Sequence, residues 1–243
     1  MKSPVLGVLM LDTANPFDVP GCLACDDTFS FPVKRRIIQG ATVDKMTSGC
    51  EDLHGPMIEA ARALEREGVD AILGDCGFTA LFQKDLQESV GVPVFTSSLL
   101  FVPLASRIIP KGKRVGILTY RANFLSEAHF QGVGWRSKDI PIAVAGVQNQ
   151  SAWKLFATPA HPFHREDLER QLMDVCEGLI RDYPDVGAIV FECTVMPPFA
   201  HVIQAETGLP VFDITMFASM VAEGFNRKPF TGRRTPAAAS IGP

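Results

Sequence analysis

One chain writes nearly the same sentence twice. VDAILGDCGFTALFQKDLQESVGVPVF (69–95) and VGAIVFECTVMPPFAHVIQAETGLPVF (186–212) align without a gap at a shift of 117 residues. Cys76 falls on Cys193, Phe82 on Phe199, Gln87 on Gln204, Gly91 on Gly208, and Pro93-Val94-Phe95 on Pro210-Val211-Phe212. A repeat of this length carries a strand, a helix and a second strand, so it constrains the fold to two lobes of similar design. The 243 residues suffice for two such lobes, and 47% hydrophobic residues can fill their cores.

The surrounding sequence extends the duplication. Short apolar runs alternate with amphipathic stretches, the pattern of parallel strands joined by helices. Strands are expected at 4–11, 34–42, 70–76 and 92–95, with helices at 55–68, 77–91 and 97–109. The order restarts with strands at 114–120, 140–147, 187–193 and 209–213, helices at 122–132, 165–183 and 197–208, and a last helix at 214–225. The fold class is therefore α/β, with two pseudo-symmetric lobes, each a roughly four-stranded parallel sheet flanked by helices. The first lobe is expected at 1–109, completed by the C-terminal helix and tail at 214–243, and the second at 110–213. The Pro/Ala/Gly-rich tail from Thr231 reads as loose.

Composition excludes several partners. The net charge is −4 and there is no long Lys/Arg run, so no footprint for nucleic acid exists. No apolar stretch reaches the roughly 18 residues of a membrane span. The opening MKSPVLGVLML meets Asp12 at once, which suits a buried strand better than a signal peptide. A cytoplasmic location is the expectation. Six cysteines without a secretion signal read as free thiols. Cys22 and Cys25 form a lone CxxC, with only Cys50 or His54 near in sequence as further zinc ligands. His161 and His164 have HxxH spacing but no third ligand in view. His201 lies too far along its helix to reach Cys193. Both motifs read as ordinary loop residues, and no metal is expected. Glycine groupings that would cradle a nucleotide phosphate are absent from the sequence.

Cys76 and Cys193 each sit where a strand ends and a helix begins, the place where parallel sheets bind ligands. Two lobes packed about a pseudo-two-fold axis would turn both ends to one cleft. Helix N-termini and free backbone N–H groups favour thiolates there. A thiolate and a thiol on opposite faces of a carbon could remove a proton from one face and return it on the other. Such sulfurs would stand roughly 7 Å apart, each about 3–3.5 Å from the reacting carbon, too far for a disulfide. Asp75 and Glu192 precede the two cysteines. Side chains alternate along a strand, so these carboxylates are expected to point away from their own cysteine and act as structural acids.

LGVLMLDT, FSFPV, CGFTALFQ, GVPVFTSSL and FECTVMPPFAHVIQAETGLPVFDI together resemble the aspartate/glutamate/hydantoin racemase superfamily, over nearly the whole chain. The resemblance implies an interlobe site, no cofactor, and a two-cysteine proton relay at Cys76 and Cys193. It further implies substrate contacts at Asp12 and Thr13, at Thr119 and Tyr120, at Thr194 with neighbouring backbone N–H groups, and at Ser97. Gly77, Phe78 and Val195 stand where glutamate racemases carry polar residues. An apolar pocket for a hydantoin or an apolar amino-acid derivative is implied, and so is a small-molecule carboxylate or hydantoin substrate. Racemisation or epimerisation is the expected reaction. Isomerisation like that of maleate isomerases, decarboxylation like that of arylmalonate decarboxylases, and a two-lobed binding protein without chemistry are the alternatives. The resemblance leaves a homodimer open.

Overall fold

The structure, a computed structural model, describes residues 3–13, 17–48, 51–156, 163–227 and 229. Cys50, His161 and the tail from Thr231 lie outside them. The eight strands are β1 (Leu6–Met10), β2 (Val33–Ile37), β3 (Ala71–Gly74), β4 (Val94–Phe95), β5 (Arg114–Thr119), β6 (Ile142–Gly146), β7 (Val186–Phe191) and β8 (Val211–Phe212). They form two four-stranded sheets of order β2-β1-β3-β4 and β6-β5-β7-β8, parallel at every pairing. The first sheet's strands recur in the second in the same order, as the repeat requires.

The helices are α1 (Val43–Ser48), α2 (His54–Arg66), α3 (Gln83–Ser89), α4 (Val102–Ile108), α5 (Glu127–Gly132), α6 (Ser151–Phe156), α7 (Arg165–Asp182), α8 (Ala200–Thr207) and α9 (Ile214–Phe225). β1 and β3 are buried throughout, which explains their continuous apolar runs. α2 turns Met57, Ala60, Ala61 and Leu64 into the core, and α7 turns Leu168, Leu172, Cys176 and Leu179. Gly7 on β1 and Gly116 on β5 let these helices lie close. A Cβ at Gly7 would stand 3.1 Å from Leu64 Cδ1, and one at Gly116 would stand 3.0 Å from Leu179 Cδ2. The two lobes therefore use glycine in the same way on the central strand.

The last helix of each half does not stay with its own sheet. Val102 and Ala105 of α4 are buried with Val115, Ile117, Ala188 and Val190 of the second sheet. Ile214, Ala218 and Ala222 of α9 are buried with Leu6, Val8, Ala71 and Leu73 of the first. This reciprocal exchange ties the lobes together. Phe101 and Phe217 meet between them, with ring centroids 4.7 Å apart.

Local departures from the expected elements have local causes. The helix expected at 122–132 begins only at Glu127. Ser126 caps it in a box with His129, and the preceding turn is held by Phe124 N–H donating to Arg121 and Ala122 N–H donating to Gln148 Oε1. The helix expected at 77–91 opens as a 3₁₀ segment, Gly77–Phe82, before α3. The second strand stops at Ile37, where the chain turns through Ile38–Ala41. Helices α1 and α6, six residues each, had no readable periodicity. Among the described residues no helix is long and apolar enough to cross a membrane.

Candidate active site

Both sheets point the carboxyl ends of their central strands at one cavity of about 130 Å³. β3 ends at Gly74, and Asp75 and Cys76 follow, Cys76 in extended backbone immediately before the 3₁₀ segment. The Thr79 N–H donates to the Cys76 carbonyl at 3.0 Å and closes that turn. β7 ends at Phe191, Glu192 and Cys193 follow, and the Met196 N–H donates to the Cys193 carbonyl at 3.2 Å. Cys76 and Cys193, both half-buried, line the same cavity from opposite lobes.

Around the thiols stand Thr13, Gly77, Phe78, Tyr120, Thr194 and Val195, all expected from the sequence. Three other expected residues do not line the cavity. Asp12 is exposed and its Oδ2 accepts from the Gly40 N–H at 2.9 Å, bracing the turn after β2. Ser97 is buried, and its hydroxyl caps the following 3₁₀ turn by accepting from the Leu99 N–H at 3.2 Å. Thr119 is buried and donates its hydroxyl proton to Glu192 Oε2 at 2.5 Å. Its contact is with a wall residue rather than with the cavity.

The two acids add most to the sequence reading. Asp75 and Glu192, expected to point away from their own cysteines as structural acids, both line the cavity. Both lie one residue past the last strand residue, Gly74 or Phe191, with their N–H groups still donating to Leu9 and Leu118 of the central strands. Each acid then meets the residue that follows the other lobe's cysteine. The Thr194 hydroxyl donates to the Asp75 carbonyl oxygen at 2.7 Å. Glu192 packs against Gly77 so closely that a Cβ there would collide with both its Oε1 and its carbonyl oxygen. Gly77 is thus small because a carboxyl from the opposite lobe occupies the place of a side chain.

Charge in this cavity is expensive. Burial drives the Asp75 carboxyl up to about 7, against the Leu11 backbone N–H that favours the ionised form. Glu192 also rises to about 7 by burial, opposed by hydrogen bonds from Thr119 and the Tyr120 backbone N–H. Both thiols are pushed well above the ordinary cysteine value, first by burial and then by the charge of Glu192. Backbone N–H groups of Phe78 and Val195 favour the thiolates as expected, but burial outweighs them. In the free protein burial thus works against the thiolates that the strand-to-helix position favours. Short 3₁₀ turns after each cysteine give weaker dipoles than full helices, and the cavity walls are apolar.

Sequence reasoning missed Phe17, Cys22 and Phe156, which also line the cavity. Phe17 and Phe156 meet edge-to-face with centroids 5.0 Å apart. Their segments have no repeat counterpart and no periodicity, so no signal marked them. Cys22 is buried, with its Sγ 4.0 Å from the Val195 carbonyl oxygen. Among the described residues no group of three or more His, Cys, Asp or Glu side chains is arranged to hold a metal ion. His164 lies immediately before α7, and His201 is exposed on α8.

Two duplicated parallel-sheet lobes with an interlobe cavity define a class of protein, and comparison with known proteins agrees. The family model for Asp/Glu/hydantoin racemase matches residues 33–220. The chain belongs to the Asp/Glu/hydantoin racemase family. A dimethylsulfoniopropionate lyase of Durusdinium sp. clade D is 30% identical over 240 residues, covering 96% of this chain and 78% of the relative. Dimethylsulfoniopropionate lyase 3 of Emiliania huxleyi (strain CCMP1516) is 29% identical over 235 residues, covering 90% of this chain but only 59% of that longer protein. Among solved structures, an aspartate racemase of Picrophilus torridus shares the fold at a TM-score of 0.59 and 14% identity, over 94% of this chain and 96% of that one. An unliganded arylmalonate decarboxylase does so at 0.57 and 16%, over 95% and 96%.

Proposed function

We propose that this protein removes the proton α to a carboxylate with a cysteine thiolate, and that the substrate carries a cationic leaving group on the next carbon. A sulfonium such as dimethylsulfoniopropionate is the substrate class that fits, with β-elimination as the outcome. The observation that carries this reading is the lining of the cavity. Phe17, Phe78, Tyr120 and Phe156 surround it together with Asp75 and Glu192, and no Lys, Arg or His lines it among the described residues. Aromatic faces and buried carboxylates attract a cation, and a dry site strengthens both attractions. The similarity to dimethylsulfoniopropionate lyases supports the same choice.

The chemistry balances without a co-reactant. A thiolate of Cys76 or Cys193 takes the α-proton with its lone pair to form S–H, and the pair of the broken Cα–H bond forms the Cα=Cβ bond. The Cβ–S bond breaks, with its pair leaving on neutral dimethyl sulfide. Acrylate remains, and the thiol returns its proton to solvent. Thr13 and Tyr120 line the cavity, and in this reading their hydroxyls receive the substrate carboxylate. A cation in the cavity would offset the charge that a thiolate creates, which the free protein resists.

The paired thiols themselves favour a second reading. If no leaving group is present, the opposite thiol can reprotonate the other face, which is racemisation or epimerisation of an amino-acid derivative or hydantoin. Proton NMR in deuterium oxide separates the two. Acrylate vinyl signals growing from dimethylsulfoniopropionate support elimination. Loss of the α-proton of an amino acid or hydantoin without a new product would replace it by racemisation. Neither change with any compound would leave only a binding protein.

A further inference from the structure

Glu192 has features that a merely structural acid would lack. Its residue is 1% exposed, yet Oε1 has no hydrogen-bond partner. Oε2 is held by the Thr119 hydroxyl at 2.5 Å, which fixes the carboxyl plane. The carboxyl is attached one residue before Cys193 but rests on Gly77, one residue after Cys76. Among the described residues no ion pair holds it. Arg121, one residue past the cavity-lining Tyr120, is instead bonded to Asp44 at 2.8 Å and to Thr47 at 2.9 Å.

We propose that Glu192 is a positioning residue shared by both thiols, whose charge state decides whether a thiolate can form on Cys76 or Cys193. Ionised, it places an uncompensated negative charge beside each sulfur and keeps both protonated. Neutral, it leaves room for one negative charge in the cavity, and that charge can reside on sulfur. Substrate access to the chemistry is thereby coupled to one carboxyl proton. The groups that face it are Cys193 on its own segment, Tyr120 and Thr119 from the end of β5, and Asp75 and Cys76 from the first lobe. The charge of Glu192 outranks that of Asp75 in its effect on either thiol. Burial holds the carboxyl near 7, so its proton equilibrates in the neutral range.

This inference rests on the two-thiol reading of the cavity, but its test needs no substrate, so the two can fail separately. Alkylation of Cys76 and Cys193 by iodoacetamide is followed from pH 6 to 10 by peptide mass spectrometry, in wild type, Glu192→Gln and Asp75→Asn. Glutamine keeps the acceptor for Thr119 and removes the charge. Both cysteines in Glu192→Gln are expected to alkylate about tenfold faster at a given pH below the midpoint, equivalent to a midpoint about one unit lower. Asp75→Asn should move both profiles less. Thr119→Val, which withdraws a hydrogen bond favouring ionised Glu192, should shift both in the same direction near pH 8 and serves if the glutamine variant fails to fold. Unchanged profiles at both cysteines, a change confined to Cys193, or a larger effect from Asp75→Asn would overturn the proposal.

Discussion

Replacing Glu192 by glutamine should alter how stability depends on pH, and the size of the change can be worked out. The carboxyl rises from 4.5 to about 7 on folding. Between those values the folded state holds a proton that the unfolded chain has released, so stability falls as pH rises. The loss is complete once pH passes the folded value. At about 1.4 kcal/mol per pH unit, the interval of some 2.5 units gives about 3 kcal/mol. Asp75, raised from 3.8 to about 7, adds a loss of the same sign. His129, lowered by burial to about 4, works the other way and stabilises as pH rises from 4 to 6.5. Comparing variant with wild type cancels both of these. Urea unfolding at intervals from pH 4.5 to 8.5 should show the stability of Glu192→Gln rising relative to wild type by about 3 kcal/mol, and then levelling off. A difference that stays flat across the range would show that Glu192 is ionised at low pH in the folded protein, and the electrostatic reasoning would fail.

Other substitutions test how the site is held. Gly132→Ala on α5 sets a Cβ against the Ala80 carbonyl oxygen. Displacing the 3₁₀ segment that carries Gly77 and Phe78 should cost about 1–3 kcal/mol in urea unfolding, and a neutral result would mean the segment yields freely. Asp213 caps α9 by accepting from the Thr215 and Met216 N–H groups at 2.8 and 2.9 Å. Asp213→Ala should therefore lower stability by about 1 kcal/mol in the same assay. An unchanged midpoint would show that packing of α9 on the first sheet suffices without the cap.

Much of the architecture was legible because the chain states it twice. The continuous apolar runs of β1, β3, β5 and β7 follow from burial on both faces, and the gapless repeat marked Cys76 and Cys193 as equivalent. What the repeat could not convey is how the copies meet. The sequence assigns the last helix to the first lobe, where α9 packs, but the reciprocal move of α4 onto the second sheet leaves no mark in it. That Asp75 and Glu192 line the cavity depends on how the two strand ends meet across the lobes. Phe17 and Phe156 reach the cavity from unpatterned segments, where tertiary folding alone brings them together. Gly77 was noted only as a departure from the glutamate racemase pattern. Its reason, a carboxyl from the other lobe, exists only in three dimensions.

The central claim is that Cys76 and Cys193 handle a proton on carbon. Its most direct test is α-proton exchange and product formation by proton NMR in deuterium oxide, with wild type, Cys76→Ser and Cys193→Ser, on dimethylsulfoniopropionate, amino acids and 5-substituted hydantoins. At least one substrate is expected to lose its α-proton with wild type, and one or both serine variants to slow this by about 10²-fold or more. Turnover that both folded variants sustain at the wild-type rate would mean that the paired thiols only pack, and that the base lies elsewhere.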